Sequence, residues 1–171
     1  MVAENPRIRT VFLYRAQLHI SQGSNDRGLD DLDAYLDNGS QRDLRVWVIH
    51  GLRGHLLRDR YQQLPLDKRR QPSGLALLSL SVTELGKAVT LGGRAHDLFD
   101  DLGAMLEHAG RRDQAILAYS KGLELAPKDA KMMVKRGWAL ELLHQHGKAL
   151  ADFAAAVRVD PENPEAHTGR N

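Results

Sequence analysis

The sequence contains no cysteine, few aromatic residues and no long hydrophobic run. Without cysteine the chain has no disulfide framework, no cysteine-ligated zinc and no thiol nucleophile. The longest nearly apolar run, residues 75–82, contains serines and is far shorter than the roughly 20 residues that cross a membrane. The first ten residues also lack the apolar stretch of a signal peptide. These features are compatible with a cytoplasmic protein without membrane contact, which is what we expect.

Residue patterns that carry catalysis are also missing. The aspartate pairs at 30–31 and 100–101 are adjacent, and adjacent helical residues point about 100° apart, so their carboxylates do not converge on one atom. The segment 23–28 has the glycine spacing of a phosphate-binding loop, but Leu29 stands where that loop requires lysine. We predict no catalytic residue and no cofactor, and we expect that this chain alone is not an enzyme.

The eight histidines raise the question of a metal site. His144 and His146 are two residues apart at a predicted turn, with Glu141 nearby, and two residues with that spacing do not share a helical face. We interpret these histidines as solvent-exposed turn residues and predict no metal ion.

The net charge is only +2, but the charge is unevenly distributed. Residues 45–94 carry nine Lys or Arg against three Asp or Glu. This basic segment is the basis of an alternative functional hypothesis given below.

A period of 34 residues is present in the C-terminal half, and such periods indicate repeat architectures. Six of seven compared positions keep their character at this offset, while Leu102 against Arg136 does not. The first copy has Phe99, Leu102, Gly103, Leu106, Ala115, Tyr119 and Pro127, and the second has Met133, Arg136, Gly137, Leu140, Ala149, Phe153 and Pro161.

The recurring residues have a physical explanation in a stack of paired helices. Glycine in a helix interior costs about 1 kcal/mol against alanine, and this cost is reasonable where a partner helix approaches closely. Gly103 and Gly137 fit such a position, and a proline ends each second helix. Tyr119 and Phe153 are expected to fill the gap toward the next helix pair.

These positions resemble the tetratricopeptide repeat (TPR), whose 34-residue pattern is W-x2-L-G-x2-Y, then A-x3-F, then P. The resemblance implies an all-α fold, a right-handed α-solenoid of antiparallel helix pairs in a TPR-like superhelix. It also implies that residues 1–171 form one degenerate array. Its units are at about 9–42, 43–92, 96–129 and 130–163, with an incomplete unit at 164–171. Because that last unit stops half-way, we expect the sequence to be a fragment of a longer protein.

The second predicted unit is irregular. Residues 42–58 are predicted to form a helix in which Trp47 and Gly51 have the spacing of the packing positions, and leucines and valines from residue 75 to 89 indicate a second helix. Between them, residues 59–74 contain two prolines and three consecutive basic residues. We interpret this stretch as an exposed loop insertion, with a distorted helix as the alternative.

The TPR resemblance implies that the first helices line a concave groove. Trp138 stands five residues after the family's packing tryptophan position, so it is predicted to face the groove and anchor a partner. The alternative is that Trp138 covers a seam between repeats. A peptide of mixed or basic charge suits the acidic residues of the third unit. The predicted groove residues are Asp97, Asp100, Asp101, Ala104, Glu107, Lys131, Val134, Lys135, Trp138 and Glu141.

The leading functional hypothesis is a protein–protein interaction scaffold that binds a peptide or partner domain in the concave groove. The first alternative is binding of nucleic acid or an acidic partner through the basic segment; nucleic acid is the less favoured partner because aromatic residues are scarce there. The residues of that basic patch are Arg53, Arg58, Arg60, Lys68, Arg69 and Arg70. Another alternative is self-association by end-to-end stacking, within a larger multidomain enzyme.

Overall fold

The computed structural model describes residues 6–38 and 45–170, which form ten α-helices. Helices α1 and α2 precede the gap, and α3 to α10 follow it. Their bounds are α1 Pro6–Ser21, α2 Asn25–Asp37, α3 Val46–Gln63, α4 Leu66–Arg69, α5 Pro72–Thr90, α6 His96–His108, α7 Arg112–Leu125, α8 Ala130–Glu141, α9 His146–Val159 and α10 Pro164–Arg170.

The helices pack as antiparallel pairs that follow one another along the chain. Pair 1 is α1 with α2, pair 2 is α3 with α5, pair 3 is α6 with α7, and pair 4 is α8 with α9. Each pair packs on the next through its second helix, and α10 covers the end of pair 4. This arrangement confirms the predicted all-α solenoid.

Small residues on the first helices allow this close packing. A Cβ placed on Gly137 would lie 2.7 Å from the ring of Phe153, and one on Gly103 would collide with the ring of Tyr119. In pair 1 the equivalent residue is Ala16, which is fully buried. The glycines therefore lower the helix propensity of the first helices, but they allow an aromatic ring to contact the helix backbone.

The same kind of contact joins neighbouring pairs. Met132 of α8 packs against Gly122 of α7, where a Cβ would lie 2.5 Å from the methionine sulfur. At the preceding junction, Leu98 of α6 packs against Gly51 of α3, where a Cβ would lie 3.1 Å from the leucine side chain. Apolar residues of one pair thus insert against glycines of the previous pair, and they extend the core along the array.

In three pairs, the turn between the two helices contains a residue whose backbone has the left-handed conformation, with positive φ. Gly23, Gly110 and His144 have φ of 73°, 73° and 57°, and each lies seven residues after the small residue of its first helix. Glycine adopts this conformation at low cost, so His144 is the strained member of the set. In pair 2 the chain does not turn at this point, because α3 continues as a helix to Gln63.

The prediction that residues 59–74 form a loop is wrong. Helix α3 extends to Gln63, α4 occupies 66–69, and α5 begins at Pro72. The prolines do not break these helices, because Pro65 precedes α4 and Pro72 is in the first turn of α5, where its missing N–H is not needed. Arg69 donates from Nε to the Leu64 carbonyl at 3.0 Å and closes the bend.

The predicted register of pair 2 is also wrong by three residues. Gly54, rather than Gly51, faces the second helix, since its Cβ would lie 2.6 Å from Leu85. Gly51 instead lies toward Leu98 of the next pair. Trp47 was predicted to occupy the packing position, but that position is held by the buried His50, and Trp47 is half-buried against the core beside it.

Side-chain hydrogen bonds stabilise the starts of two helices. Asp129 accepts a hydrogen bond from the Met132 amide at 3.0 Å and so caps α8. Asn163 accepts from the Ala166 amide at 3.1 Å at the start of α10. These caps satisfy donors that have no partner within the helix. Within the residues that the structure describes, no helix is both long and apolar enough to cross a bilayer.

Candidate functional site

The first helices of pairs 2 to 4 and the helix α10 lie side by side on one surface, which we call the inner face. Helix α3 contacts α6, α6 contacts α8, and α8 contacts α10, whereas the second helices of successive pairs are farther apart. The array therefore curves toward its first helices, and α6 and α8 form the middle of the inner face. All of the predicted groove residues lie on these two helices.

The predicted residues of α6 differ in exposure. Asp97 is exposed, while the other four are partly buried. Glu107 accepts a hydrogen bond from the Tyr119 hydroxyl at 2.6 Å, which ties the groove helix to the second helix of its pair. Burial, followed by the Glu107 hydrogen bond and charge, raises the pKa of the Tyr119 hydroxyl, so that it remains a donor.

Asp101 forms ion pairs with the preceding pair. Its carboxylate lies 2.5 Å from Nδ1 of His55 and also contacts Arg58, both on α3. Burial raises the pKa of Asp101, but the hydrogen bonds and charges of His55 and Arg58 outweigh it and lower the pKa below its ordinary value. Asp101 is therefore charged and neutralised within the protein.

Asp100 forms an ion pair in the opposite direction. Lys135 of α8 donates to both of its carboxylate oxygens, at 2.7 and 2.8 Å. Together with the contacts of Asp101, this ion pair ties α3, α6 and α8 to one another. Asp100, which we expected to attract a mixed or basic partner, is thus already paired.

Helix α8 contributes the largest exposed side chain of the inner face. Trp138 is 38% exposed, and its ring packs edge-on against Phe153 with 5.0 Å between centroids. Lys131, at the start of α8, is exposed. At the end of the same helix, the Glu141 carboxylate contacts Nδ1 of His146 at 2.8 Å. The indole is thus held on one side and open on the other.

Val134 does not line the groove, and this prediction is wrong. Its side chain is only 1% exposed and belongs to the apolar cluster of Phe153, Ala156 and Ala166. Ala166 is on α10, so the helix that follows pair 4 covers the position that would otherwise be open.

The six residues of the predicted basic patch are not a free cationic surface. Arg58 contacts Asp59 and Asp101, and Arg60 contacts Asp26 at 2.8 Å. Arg69 donates to backbone carbonyls and lies over the ring of Tyr61. Arg53 is paired as described next. Among the described residues, Lys68 and Arg70 are the exposed members of the patch that form no ion pair.

A recurring ion pair, not predicted from the sequence, joins the two helices of three pairs. We call it the arginine bridge: an arginine directly before the small residue of the first helix contacts an acidic residue on the second helix. The pairs are Arg15 with Asp31 at 2.9 Å, Arg53 with Glu84 at 3.1 Å, and Arg136 with Asp152 at 2.6 Å.

Two of the bridging arginines also reach the preceding pair. Arg53 contacts Asp33 of α2 at 2.7 Å, and Arg136 donates to Ser120 of α7 at 3.0 Å. The sequence contained a signal for this bridge in the mismatch of Leu102 with Arg136. Arg136 has an acidic residue 16 positions later, whereas Leu102 has an alanine at that spacing. Pair 3 alone among the four lacks the bridge, with Leu102 and Ala118 in its place.

The acidic members of the bridges are buried. The hydrogen bond from Arg15 lowers the pKa of Asp31. Burial raises the pKa of Glu84, but hydrogen bonds from His50 and Lys87 and the charge of Arg53 outweigh this effect, so the pKa is below its ordinary value. Among the described residues, no three His, Asp or Glu side chains are placed to hold a metal ion.

No protein-family model matches the chain. A curated relative, the UDP-N-acetylglucosamine--peptide N-acetylglucosaminyltransferase of Giardia intestinalis, is 28% identical over 88 residues. The match covers 52% of this chain, and the chain spans only 6% of the length of that enzyme.

Several solved structures share the architecture. YrrB, described as a TPR protein with an unusual peptide-binding site, has a TM-score of 0.76 at 20% identity, over 93% of this chain and 72% of its own. The MamA protein has a TM-score of 0.78 at 16% identity, over 97% and 80%. The TPR domain of Arabidopsis OM64 has a TM-score of 0.59 at 20% identity, over 74% and 92%. The fold is therefore the right-handed solenoid of TPR proteins, which confirms the resemblance noted in the sequence.

Proposed function

We propose that this chain is a protein-interaction module that binds a peptide or a partner domain on its inner face. The observation that carries the proposal is Trp138, whose indole is 38% exposed on the middle of that face. Tryptophan is among the residues that contribute most to protein interfaces, because it offers a large apolar surface and one polar N–H.

The packing of Trp138 favours a binding role. Contact with the edge of Phe153 restricts the rotamers of the indole before any partner arrives. A pre-organised anchor loses less conformational entropy on binding than a free side chain. The partner is therefore expected to insert an apolar residue against the open side of the ring.

The charges near Trp138 define the partner further. Asp97 and Lys131 are exposed and have no ion-pair partner among the residues the structure describes, whereas Asp100 and Asp101 are neutralised internally. A segment that carries both a cation and an anion around an apolar residue matches this pattern better than a purely basic one.

The comparisons support a binding role but not a reaction. YrrB, with a similar fold, is described by a peptide-binding site, and we extend a peptide ligand to this chain by that likeness. The Giardia enzyme shares 88 aligned residues, which cover 6% of its length, so its transfer reaction is not part of the proposal.

Replacement of Trp138 by alanine tests the proposal. Immobilised wild-type chain, Trp138→Ala and the control Leu150→Ala are exposed to a lysate of the source cells, and captured proteins are quantified by mass spectrometry. Leu150 is 50% exposed on the second helix α9, away from the inner face. We expect Trp138→Ala to reduce capture of at least one partner about tenfold or more, since a central tryptophan contributes about 2 kcal/mol or more.

The control is expected to capture the same partners as the wild-type chain. Circular dichroism spectra and thermal midpoints of all three proteins show whether the change is confined to binding. Equal loss with Leu150→Ala, or full capture by a folded Trp138→Ala, would reject the inner face as the binding site.

A further inference from the structure

A cleft of about 580 Å³ lies on the opposite side of the array, between the second helices α5 and α7. Its floor is formed by α6, on which both of these helices pack. The lining is mainly apolar and consists of Val82, Thr83, Gly86, Val89, Phe99, Leu102, Leu106, Arg111, Gln114, Leu117, Ala118 and Lys121. The volume is within the range of ligand-binding clefts.

No arginine bridge crosses this cleft, because the bridge is absent from pair 3. At the junction of pairs 3 and 4 the equivalent cleft is smaller, about 400 Å³, and Ser120, Arg136 and Asp152 link α7, α8 and α9 across it. Asp33, Arg53 and Glu84 do the same between pairs 1 and 2.

In the junction of pairs 2 and 3 the three equivalent positions hold Gly86, Leu102 and Ala118. A Cβ on Gly86 would meet no atom within 4 Å, so the wall of the cleft is open at this point. Leu117 at the margin is 62% exposed. Concave sites lined mainly by apolar side chains with a few polar groups are where proteins preferentially bind ligands.

The charged residues that line the cleft have one sign. Arg111 and Lys121 are exposed, and neither side chain has an ion pair among the described residues. No Asp or Glu belongs to the lining. Charge complementarity therefore favours an acidic partner over a basic or neutral one.

The shape of the cleft favours a helical segment. Along α5 the lining residues are Val82, Gly86 and Val89, and along α7 they extend from Gln114 to Lys121. Each wall thus spans eight residues, and the seven steps of 1.5 Å between its ends give roughly 10 Å, which corresponds to two turns of a helix. Two parallel helical walls above an apolar floor are the arrangement in which amphipathic helices bind through residues at i, i+3, i+4 and i+7.

We propose that the cleft between α5 and α7 binds an acidic amphipathic helix of another protein. The apolar face of the helix lies on Leu102, Ala118 and Leu117, and its acidic flank pairs with Arg111 and Lys121. This site is on the side opposite Trp138, so it is independent of the inner-face proposal.

The test uses a fluorescent amphipathic peptide with leucines at i, i+3, i+4 and i+7 and glutamates at the remaining positions. A second peptide has lysine in place of glutamate. Fluorescence anisotropy measures binding to the wild-type chain. We expect the acidic peptide to bind at least tenfold more tightly than the basic one, and the difference to shrink as salt screens the two cations.

The key variant installs the missing arginine bridge in pair 3, as Leu102→Arg with Ala118→Asp. It leaves the net charge unchanged and copies a pair that the neighbouring Arg136 and Asp152 already form. We expect the affinity for the acidic peptide to fall at least tenfold. Gly86→Leu is a second variant, for use if the double variant does not fold. It fills the open wall, and we expect it to lower the affinity for the acidic peptide by the same factor.

Leu150→Ala is the matched control, because Leu150 is exposed on α9 and does not line the cleft, and its affinity for the peptide is expected to match that of the wild-type chain. Three outcomes would overturn the proposal: equal binding of the two peptides, full binding by a folded cleft variant, or loss of binding with Leu150→Ala. Concentration-dependent self-association that the cleft variants abolish, without peptide binding, would instead identify a second copy of the chain as the occupant and so reject an acidic helix.

Discussion

Single glycines decide how closely neighbouring helices approach in this protein. Gly137 and Gly103 lie under aromatic rings, whereas Gly86 faces open space although it is also inside a helix. The same residue type therefore has opposite energetic roles at these positions. Helix propensity disfavours glycine everywhere by about 1 kcal/mol, but only at the first two does a contact compensate for it.

A matched pair of substitutions tests this difference. Gly86→Ala is expected to raise the free energy of unfolding by about 0.5–1 kcal/mol, because it improves helix propensity and meets no atom. Gly137→Ala is expected to lower it by about 1–3 kcal/mol, because the new Cβ would lie 2.7 Å from Phe153. Urea unfolding followed by circular dichroism measures both changes. A shift of the same sign in both variants would contradict this account of the packing.

At the scale of helices, apolar packing holds every pair together, and the arginine bridge adds to it in three of the four pairs. Pair 3 shows that the bridge is not required: Leu102 and Ala118 occupy the bridge positions there, and the only polar link described in that pair is the hydrogen bond from Tyr119 to Glu107. Asp152 is only 7% exposed, so the bridge carries a desolvation cost that its hydrogen bonds offset. Removal of one residue of the bridge and removal of both residues should therefore change the free energy of unfolding by different amounts.

The bridge in pair 4 provides the test. Asp152→Ala leaves Arg136 without its carboxylate and is expected to lower the free energy of unfolding by about 1–3 kcal/mol. Arg136→Leu with Asp152→Ala reproduces the residues of pair 3 and is expected to remain within about 1 kcal/mol of the parent protein. Chemical denaturation of the singles and the double gives the coupling energy of the pair. Additive losses in the double variant would show that the bridge is not replaceable by packing.

At the scale of the whole molecule, paired carboxylates extend along the array. The pKa values of Asp31, Glu84 and Asp101 are all below their ordinary values, because cationic groups contact them from neighbouring helices. In the unfolded chain these groups bind protons at a higher pH than in the folded protein. Their stabilising contribution is therefore present above the unfolded pKa of about 4 and is lost as the pH falls below it.

Variants of two aspartates test this effect. Asp101→Asn removes a group with a lowered pKa, so stability is expected to depend less steeply on pH between about 5 and 3. Asp31 also has a lowered pKa because of the hydrogen bond from Arg15, so Asp31→Asn is expected to flatten the same fall. Urea midpoints measured across this pH range for both variants and the parent check the two slopes. If Asp101→Asn makes the fall steeper, the ion pairs with Arg58 and His55 do not form in solution.

Local patterns in the sequence determined the architecture. The 34-residue spacing of Gly103, Gly137 and their aromatic partners depends on contacts within a pair, and such contacts recur wherever the pair recurs. For this reason the all-α solenoid followed from the sequence. The exposure of Trp138 on a first helix followed from the same periodicity, since its position differs from the packing position of its helix.

Only the tertiary structure decided the features that depend on neighbouring pairs and on the insertion. The extension of α3 to Gln63 shifted the register of pair 2, so that Gly54 rather than Gly51 faces Leu85. Val134 is buried because α10 covers it, and Asp100 and Asp101 of α6 are neutralised by residues of α8 and α3. The period within one repeat does not specify such contacts, because each joins side chains from different pairs whose relative position is fixed only when the whole array has packed.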